Sequence, residues 1–284
     1  MIEIKTALAQ ASTELSPQSE SARLDAEILL AHVLMKTRSF LYAYPDTFLK
    51  ASQWQAFKEL IEQRLQGLPI AYLTGTREFW SLPLNINAAV LIPRPETELL
   101  VELTLDLLAA KPQAQILELG TGSGAIALAC ASERPDWQIT AVDCSSAALN
   151  LAKENAKNLN LVNGINFCLS DWFSNLAPNQ RFDAIVTNPP YIAANDPHLF
   201  IGDLRFEPSL ALVSGEDGLT AIKHLIQHSL DWLKPGGLLL MEHGFDQKSV
   251  IKSMLNNYGY SQVQCWQDWQ KRDRVSGGKL IKLS

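Results

Sequence analysis

The spacing of apolar residues over the first 75 positions predicts helices and no strand of any length. In RLDAEILLAHVL the apolar residues recur at helical spacing with polar residues opposite, as expected for a helix with one buried side. The predicted buried side carries Leu24, Ile28, Ala31 and Leu34. A second helix is expected from about Ser52, a residue type that caps helix N-termini, to a stop at Gly67 and Pro69. Residues 1–75 are therefore predicted to form a small all-α domain.

The pattern changes twice after that domain. EFWSLPLNINAAVLI alternates and is rich in strand-forming residues, so residues 76–92 are predicted to be a β-hairpin linker. PRPETE then begins a helix, with Pro95 near its first position. From Gln115 onward, short and nearly all-apolar runs alternate with helical stretches, which is typical of a parallel sheet covered on both faces. Residues 93–284 are therefore predicted to form a Rossmann-like, mostly parallel α/β domain.

The C-terminal segment is predicted to add two strands to this domain. The runs VQCWQDW and KLIKL both have strand character, and the polar stretch QKRDRVSGG between them is predicted to be a connection. Its basic residues Lys271, Arg272 and Arg274 are expected to lie on a charged surface turn.

A glycine-rich segment, ELGTGSGAIAL, follows a predicted strand and opens a helix. Gly120, Gly122 and Gly124 let the backbone approach a ligand, and the helix N-terminus presents free N–H groups. Asp143 ends the next strand 23 residues after Gly120, where a carboxylate can bind both hydroxyls of a ribose. The GxGxG spacing departs from the GxGxxG of sites that cradle a pyrophosphate. S-adenosyl-L-methionine (SAM) is therefore the predicted cofactor, and a tight turn without a ligand is the alternative interpretation.

The third predicted strand ends near the same edge of the sheet, at Asp171 and Trp172. The Asp171 side chain is expected to accept a hydrogen bond from the adenine amino group, and Trp172 to cover the adenine ring. For Trp172, an ordinary place in the core is an alternative that the sequence leaves open.

The strand FDAIVTNPPY ends in the chemically distinctive run Asn188-Pro189-Pro190-Tyr191. The two prolines remove backbone donors and hold the chain extended, which leaves a stiff loop rich in acceptors. Such a loop suits a planar NH₂ group, with its hydrogens bound by the Asn188 side chain and the Pro189 carbonyl and its face covered by Tyr191. The nitrogen of an amide or aromatic amine is a poor nucleophile, and acceptors placed for a pyramidal nitrogen favour the transition state. Asn188, Pro189 and Tyr191 are thus the predicted catalytic residues.

Composition narrows the choice of function. With 284 residues the chain is expected to form about two domains, and 47% hydrophobic residues exclude disorder. The net charge of −6 weighs against a protein that clamps duplex nucleic acid. The four cysteines are far apart in the sequence and contain no CxxC pair, so neither a zinc site nor a disulfide framework is expected. No signal peptide or membrane-length apolar run is present, and a cytoplasmic location is expected.

The combination of these motifs resembles a known family. GTGSG, Asp143 and NPPY are similar to class I SAM-dependent methyltransferases that act on amino groups. RLDAEILLAHVL and GLPIAYLTGTREFWSLPLNINAAVLIPRPETELLVE resemble the HemK/PrmC family more specifically, and the similarity covers essentially the whole chain. That family methylates the glutamine N5 in the Gly-Gly-Gln loop of bacterial peptide chain release factors. The resemblance implies a protein substrate, with the helical domain helping to bind it.

The resemblance also implies roles for individual residues. The loop Gly120, Thr121, Gly122, Ser123 and Gly124 is expected to contact SAM together with Asp143, Asp171 and Trp172. Asn188 is expected to touch both cofactor and substrate, and Pro189, Pro190 and Tyr191 to complete the glutamine pocket.

Two other functions remain as alternatives. An adenine-N6 or guanine-N2 nucleic-acid methyltransferase also uses an NPPY loop for a planar amine. An adenosine-nucleotide-binding protein or a dehydrogenase is the second alternative, against which the GxGxG spacing and NPPY argue.

His224 and His228 have the spacing of metal ligands on a predicted helix, but a partly buried helix face without a metal is expected. For His243, at a strand end, a structural role is expected.

Overall fold

The computed structural model describes residues 1–281. The chain divides into two compact units: residues 1–76 together with 198–206, and residues 77–197 together with the chain from 207 onward. The limits 1–75, 76–92 and 93–284 of the functional domains stay a prediction, and positions 282–284 of the last lie outside the described residues. Short 3₁₀ turns occur at Pro95–Thr97, Pro197–Phe200, Gly202–Phe206 and Ser229–Asp231.

The first unit contains helices packed around one apolar core. They are α1 (Ile4–Leu15), α2 (Ala22–Leu34), α3 (Arg38–Ala43), α4 (Ala51–Leu65) and α5 (Ile70–Thr74). Helix α4 begins one residue before the predicted cap Ser52, because the backbone N–H of Lys50 donates to Oε1 of Gln53 at 2.9 Å and so closes the first turn. The helix ends ahead of Gly67, as predicted.

The predicted buried side of α2 is only partly right. Ala31 is buried, and Ile28 and Leu34 are half-buried. Leu24 is wrong, since it is 39% exposed, whereas Asp25 and Glu27 are buried. Glu27 is tolerated inside because it accepts hydrogen bonds from Arg23 and Arg38, both at 2.7 Å. Buried carboxylates need such partners, and a pattern of apolar residues does not reveal them. The helix is therefore rotated relative to the face that hydrophobicity alone selects.

A hairpin follows the helical segment in the sequence, as predicted, but it is shorter than expected because residues 86–92 form no strand. Its strands are β1 (Thr76–Phe79) and β2 (Leu82–Asn85). Trp80 and Ser81 form the turn with φ of +52° and +59°, the left-handed backbone that two-residue hairpin turns require.

The second unit contains the predicted α/β sheet. The seven strands lie in the order β5-β4-β3-β6-β7-β9-β8. The first five in this order are parallel, and β9 pairs antiparallel with both β7 and β8. The strands are β3 (Gln115–Leu119), β4 (Gln138–Asp143), β5 (Ile165–Leu169), β6 (Phe182–Thr187), β7 (Leu233–Glu242), β8 (Tyr260–Gln267) and β9 (Asp273–Leu280). The helices are α6 (Glu98–Leu107), α7 (Ala125–Glu133), α8 (Ser146–Asn158), α9 (Ser209–Leu212), α10 (Thr220–His228) and α11 (Lys248–Asn257). Every residue of β6 is buried, as expected for a central strand covered on both faces.

The predicted connection before the last strand is wrong. Strand β9 begins at Asp273 and includes RVSGG, since it pairs with both β7 and β8. Glycine suits this position because a Cβ on Gly277 would lie 2.4 Å from the carbonyl oxygen of Leu239. Arg274 is also no surface residue: its side chain is 12% exposed and bonds to Asp268 at 3.3 Å. The last two positions of the predicted strand KLIKL, 282 and 283, lie outside the described residues.

Among residues 1–281, no helix is both long and apolar enough to span a bilayer.

Candidate active site

Three neighbouring parallel strands, β4, β3 and β6, bring their carboxyl ends together at one edge of the sheet. The N–H groups of Gly120 and Thr121, just after β3, both donate to the Val142 carbonyl in β4 at 2.9 Å. The Thr187 hydroxyl at the end of β6 donates to the Leu119 carbonyl at 2.8 Å. Loops that leave this edge meet where ligands of parallel α/β sheets bind.

The glycine loop folds around the Asp143 carboxylate. Gly120, Gly122 and Gly124 have φ of +74°, +55° and +85°. Oδ2 of Asp143 accepts a hydrogen bond from the Gly122 N–H at 2.9 Å, and Oδ1 accepts one from the Ser145 N–H at 2.8 Å. The side chain predicted to bind a ribose therefore also holds the loop in shape.

The third glycine and a buried asparagine fix the loop to helix α8. A Cβ on Gly124 would lie 3.2 Å from the Cβ of Ala152, so this position packs closely against that helix. Asn155, 1% exposed, donates from Nδ2 to the Ser123 carbonyl at 2.9 Å and to the Asn85 carbonyl at 3.0 Å. The loop is thus held from below by α8, a contact that the glycine spacing did not indicate.

A cavity of about 550 Å³ opens at this edge, within the usual range for small-molecule sites. Most of the predicted cofactor and substrate residues line it: Gly120, Thr121, Gly122, Ser123, Asp143, Asp171, Trp172, Asn188 and Pro190. Gly124, Pro189 and Tyr191 are not among its lining residues. A smaller cavity of about 360 Å³ lies at the opposite edge, among residues that begin the strands, and contains none of the predicted residues.

Glu118 supplies an unexpected acidic group to the cavity wall. Its Oε2 accepts hydrogen bonds from the Thr121 hydroxyl at 2.6 Å and from the Ala127 N–H at 3.2 Å. Its Oε1 is buried and has no hydrogen-bond partner among the described residues. Burial raises the pKa of Glu118 to about 8, against an ordinary value of 4.5, and the nearby Asp143 charge adds to the rise. A buried polar atom without a partner is costly, which suits a ligand that supplies a hydrogen-bonding or charged partner for this carboxyl group.

Trp172 lies on the cavity wall beside a histidine of α10. Its φ is +48°, and its ring centroid lies 6.4 Å from that of His224, which also lines the cavity. Burial, with a smaller contribution from His228, lowers the pKa of His224. Among residues 1–281, no three His, Cys, Asp or Glu side chains are grouped as metal ligands.

The NPPY loop is anchored on both sides. The amide nitrogen of Asn188 donates to the Thr97 hydroxyl at 3.2 Å, and Asn188 lines the cavity near Gly120. The Tyr191 hydroxyl donates to Oε1 of Glu242 at 3.2 Å, while its carbonyl accepts from Gln247 at 3.0 Å. Burial and the Glu242 charge raise the pKa of Tyr191, so it stays a neutral phenol.

The segment IPRPET (residues 92–97) is held in place by two contacts with the Glu207 carboxylate. Arg94 pairs with the buried Glu207 carboxylate, which also accepts a hydrogen bond from the Ile92 N–H at 3.1 Å. This pairing fixes the chain immediately before Thr97, which lies in the cavity wall.

Comparison with known proteins identifies the family. The family described as "PrmC N-terminal domain" matches residues 6–75, and "Methyltransferase small domain" matches residues 96–207. The chain is 46% identical over 280 residues to the release factor glutamine methyltransferase of Shewanella oneidensis, covering 99% of this chain and 97% of that protein. It is 49% identical over 264 residues to the Escherichia coli protein of the same name, covering 93% and 94%. The chain belongs to the release factor glutamine methyltransferase family.

This membership confirms the resemblance predicted from IPRPETE and the helical segment. The crystal structure of a methyltransferase from Pyrococcus furiosus is similar with a TM-score of 0.54 and 18% identity, covering 78% of this chain and 97% of that one. At that identity the likeness supports the methyltransferase fold alone.

For this methyltransferase, the sequence did not reveal the buried polar residues that contact the predicted site residues or line the cavity. Glu118, Thr97 and Glu242 are all buried, and each contacts a predicted residue or the cavity. Glu118 lies in the glycine-loop segment ELGTGSG and Thr97 in the segment IPRPETE, so both motifs pointed to the right part of the chain. Their hydrogen-bond partners could not be predicted from the motifs. His243 is fully buried between the Gly244 carbonyl and the Ser276 hydroxyl, both at 2.8 Å, which is the structural role expected.

Proposed function

We propose that this enzyme transfers a methyl group from SAM to the side-chain amide nitrogen, N5, of the glutamine in the Gly-Gly-Gln loop of bacterial release factors. The observation that carries the proposal is that the glycine loop and the NPPY loop line the same cavity. They approach so closely that a Cβ added to Gly120 would lie 4.0 Å from the Asn188 carbonyl oxygen. In a family whose members are named for release factor glutamine methylation, this juxtaposition suits methyl transfer to an amide.

The cavity supports SAM as the cofactor. Its volume and the glycine loop suit a nucleoside without phosphates, and the partnerless Oε1 of Glu118 suits the amino group of a methionine tail. Asp143 would hold the ribose hydroxyls, Asp171 the adenine amino group, and Trp172 one face of the adenine. The sulfonium of bound SAM supplies the electrophilic methyl group.

The chain's own contribution is to hold and activate the target amide. Asn188 Oδ1 and the Pro189 carbonyl would accept hydrogen bonds from the two N–H groups of the glutamine amide. Acceptors placed for a pyramidal nitrogen favour the transition state over the planar ground state. Pro190 and Tyr191 would complete the walls of the glutamine pocket. The methylated nitrogen then loses its proton readily, because a nitrogen-protonated amide is a strong acid.

The helical domain is proposed to recognise the release factor. Its helices form a core of their own, and the cavity is lined by residues of the second unit. Deleting residues 1–75 is expected to preserve SAM binding and to reduce methylation of the intact factor. Equal activity on the intact factor after deletion, with SAM binding preserved, would contradict this division of roles.

The deciding experiment is transfer of labelled methyl from SAM to a purified bacterial release factor. A factor whose Gly-Gly-Gln glutamine is changed to alanine serves as the control, with bulk DNA and RNA in parallel reactions. Label on the normal factor and none on the control supports the proposal. Label on nucleic acid with the factor unlabelled would mean that the NPPY loop receives a base.

A further inference from the structure

A continuous chain of hydrogen bonds connects the NPPY loop to a buried glutamate at the end of β7. Asn188 Nδ2 donates to Thr97 Oγ1 at 3.2 Å, and Thr97 Oγ1 donates to Glu242 Oε2 at 2.7 Å. Tyr191 donates to the other oxygen, Oε1, at 3.2 Å. We refer to Asn188, Thr97, Glu242 and Tyr191 as the Glu242 relay. Two of its members belong to the predicted catalytic loop, and the other two come from distant parts of the chain.

The relay is enclosed, so its members depend on one another for hydrogen bonds. Glu242 is 1% exposed and Thr97 is 4% exposed. Burial raises the pKa of Glu242, while the hydrogen bonds from Thr97 and Tyr191 and the positive charge of Arg274 oppose that rise. The Thr97 and Tyr191 hydroxyls each donate their single proton to one of the two Glu242 oxygens.

The hydrogen bond from Thr97 to Glu242 fixes the direction of the next bond. A threonine hydroxyl has one proton, and here that proton is used on Glu242, so Thr97 has only lone pairs to offer Asn188. The Asn188 amide must then present its NH₂ side to Thr97. Its Oδ1 is left on the opposite side of the amide group, and this oxygen accepts no hydrogen bond from the described residues.

We propose that Glu242, acting through Thr97, is a positioning residue that holds the Asn188 amide in the orientation required to accept a hydrogen bond from the substrate. This inference rests on the proposed function. If the amide turned over, its NH₂ group would face the NH₂ group of the target glutamine, and two donors cannot bond to each other. Glu242 and Thr97 thus set which atom of Asn188 is offered to the substrate, without touching the substrate themselves.

Substitutions at Thr97 separate this role from packing. Thr97→Val keeps the shape but removes the hydroxyl, and it is expected to lower kcat/KM for the release factor by about 10- to 100-fold. The SAM Kd should change by much less than kcat/KM does, because the atom that Thr97 orients is the Asn188 oxygen offered to the substrate. Thr97→Ser retains the hydroxyl and is expected to restore most of the rate. Thr104→Val is the matched control, since Thr104 is a buried threonine whose hydroxyl donates only to the Leu100 carbonyl of its own helix.

Substitutions at Glu242 give a graded second test. Glu242→Gln can keep an oxygen toward Thr97 if its NH₂ group turns to Tyr191, whereas Glu242→Met has a similar volume and no comparable acceptor. The expected order of kcat/KM is wild type, then Glu242→Gln, then Glu242→Met. Thermal unfolding of each variant shows whether the fold survives. Rates that fall in parallel with SAM affinity and thermal stability would indicate a structural role only and overturn the proposal.

Hydrogen exchange of the Asn188 side-chain NH₂ group tests the relay without any substrate, and therefore independently of the proposed function. The side-chain NH₂ signals of Asn188 can be assigned by NMR from their loss in Asn188→Asp. Their hydrogen exchange is expected to be slow in the wild type and in Thr97→Ser, and faster in Thr97→Val. Equal exchange in all three would refute the relay whatever the substrate. A wild type that leaves the release factor unmethylated, yet shows slowed exchange, would refute the proposed substrate and leave the relay standing.

Discussion

The Asp143 carboxylate offers the sharpest test of the proposed cofactor site, because it has two separable tasks. It orders the glycine loop by accepting the Gly122 and Ser145 N–H groups at 2.9 and 2.8 Å. Each oxygen retains lone-pair capacity, which we propose is used by the ribose hydroxyls. A net hydrogen bond to a charged group contributes about 1.5–3 kcal/mol. Asp143→Ala is therefore expected to weaken SAM binding by about that amount, or about 10- to 100-fold in Kd.

Calorimetry with two ligands distinguishes the two tasks. S-adenosylhomocysteine and its analogue lacking the ribose 2′-hydroxyl are titrated into the wild type and Asp143→Ala. If Asp143 contacts the ribose, the wild type should favour the intact compound while the variant binds both with similar affinity, since interacting groups are non-additive. Asp136→Ala is the control, because this carboxylate pairs with Arg134 and does not line the cavity.

Two results would refute the reasoning about Asp143. Unchanged affinity for the intact compound in Asp143→Ala would remove the side chain from the cofactor site. An equal loss for both compounds, with the wild-type preference preserved, would mean that Asp143 orders the loop and does not bind the 2′-hydroxyl.

Three further predictions concern other residues of the second unit. Asn188→Ala is expected to reduce turnover by roughly 10²–10³, measured as labelled methyl transfer to the release factor, because it removes an acceptor for the target nitrogen; a rate within a few-fold of wild type would exclude that role. Glu118 keeps its proton up to a pKa of about 8 in the folded, unliganded protein against an ordinary 4.5, so the free energy of unfolding should fall as pH rises between these values. This contribution to the slope is at most about 1.4 kcal/mol per pH unit, and Glu118→Gln should remove it in urea unfolding measured from pH 5 to 8. An identical slope in both proteins would contradict the raised pKa of Glu118. Gly277→Ala would place a Cβ 2.4 Å from the Leu239 carbonyl oxygen and is expected to cost about 1–3 kcal/mol of unfolding free energy, whereas wild-type stability would argue against the β7–β9 pairing.

The parts of the site that were predictable are those with a local signature. The parallel sheet follows from short apolar runs alternating with helical ones, and the topology then brings the ends of β3, β4 and β6 to one edge. The glycine spacing and the double proline are signatures within a few residues of each other. Such features need no knowledge of distant contacts, and the predicted fold is confirmed for that reason.

The unpredicted parts depend on contacts between distant positions. Thr97 and Glu242 are 145 positions apart, and Asn188 and Thr97 are 91 apart. A buried acid has the same letter in the sequence as an exposed one, so Glu27 and Glu242 could not be assigned to the interior from their neighbours. The strand containing Gly277 was missed for a related reason: glycine disfavours strands in general, and only the close approach of β7 makes it suitable here.

Burial of acids bears on the argument from net charge. Seven acidic side chains are buried, namely Asp25, Glu27, Glu118, Asp183, Glu207, Glu242 and Asp268, whereas no lysine or arginine among residues 1–281 is buried. Five of the seven, Asp25, Glu27, Asp183, Glu207 and Asp268, pair with lysine or arginine side chains and so neutralise basic groups that could otherwise bind phosphate. The net charge of −6 therefore still weighs against extensive phosphate contacts, but it does not decide which planar amine enters the cavity. The distinction between a glutamine and a base must come from the pocket beside Asn188, which is why the methyl-transfer assay needs its nucleic-acid reactions.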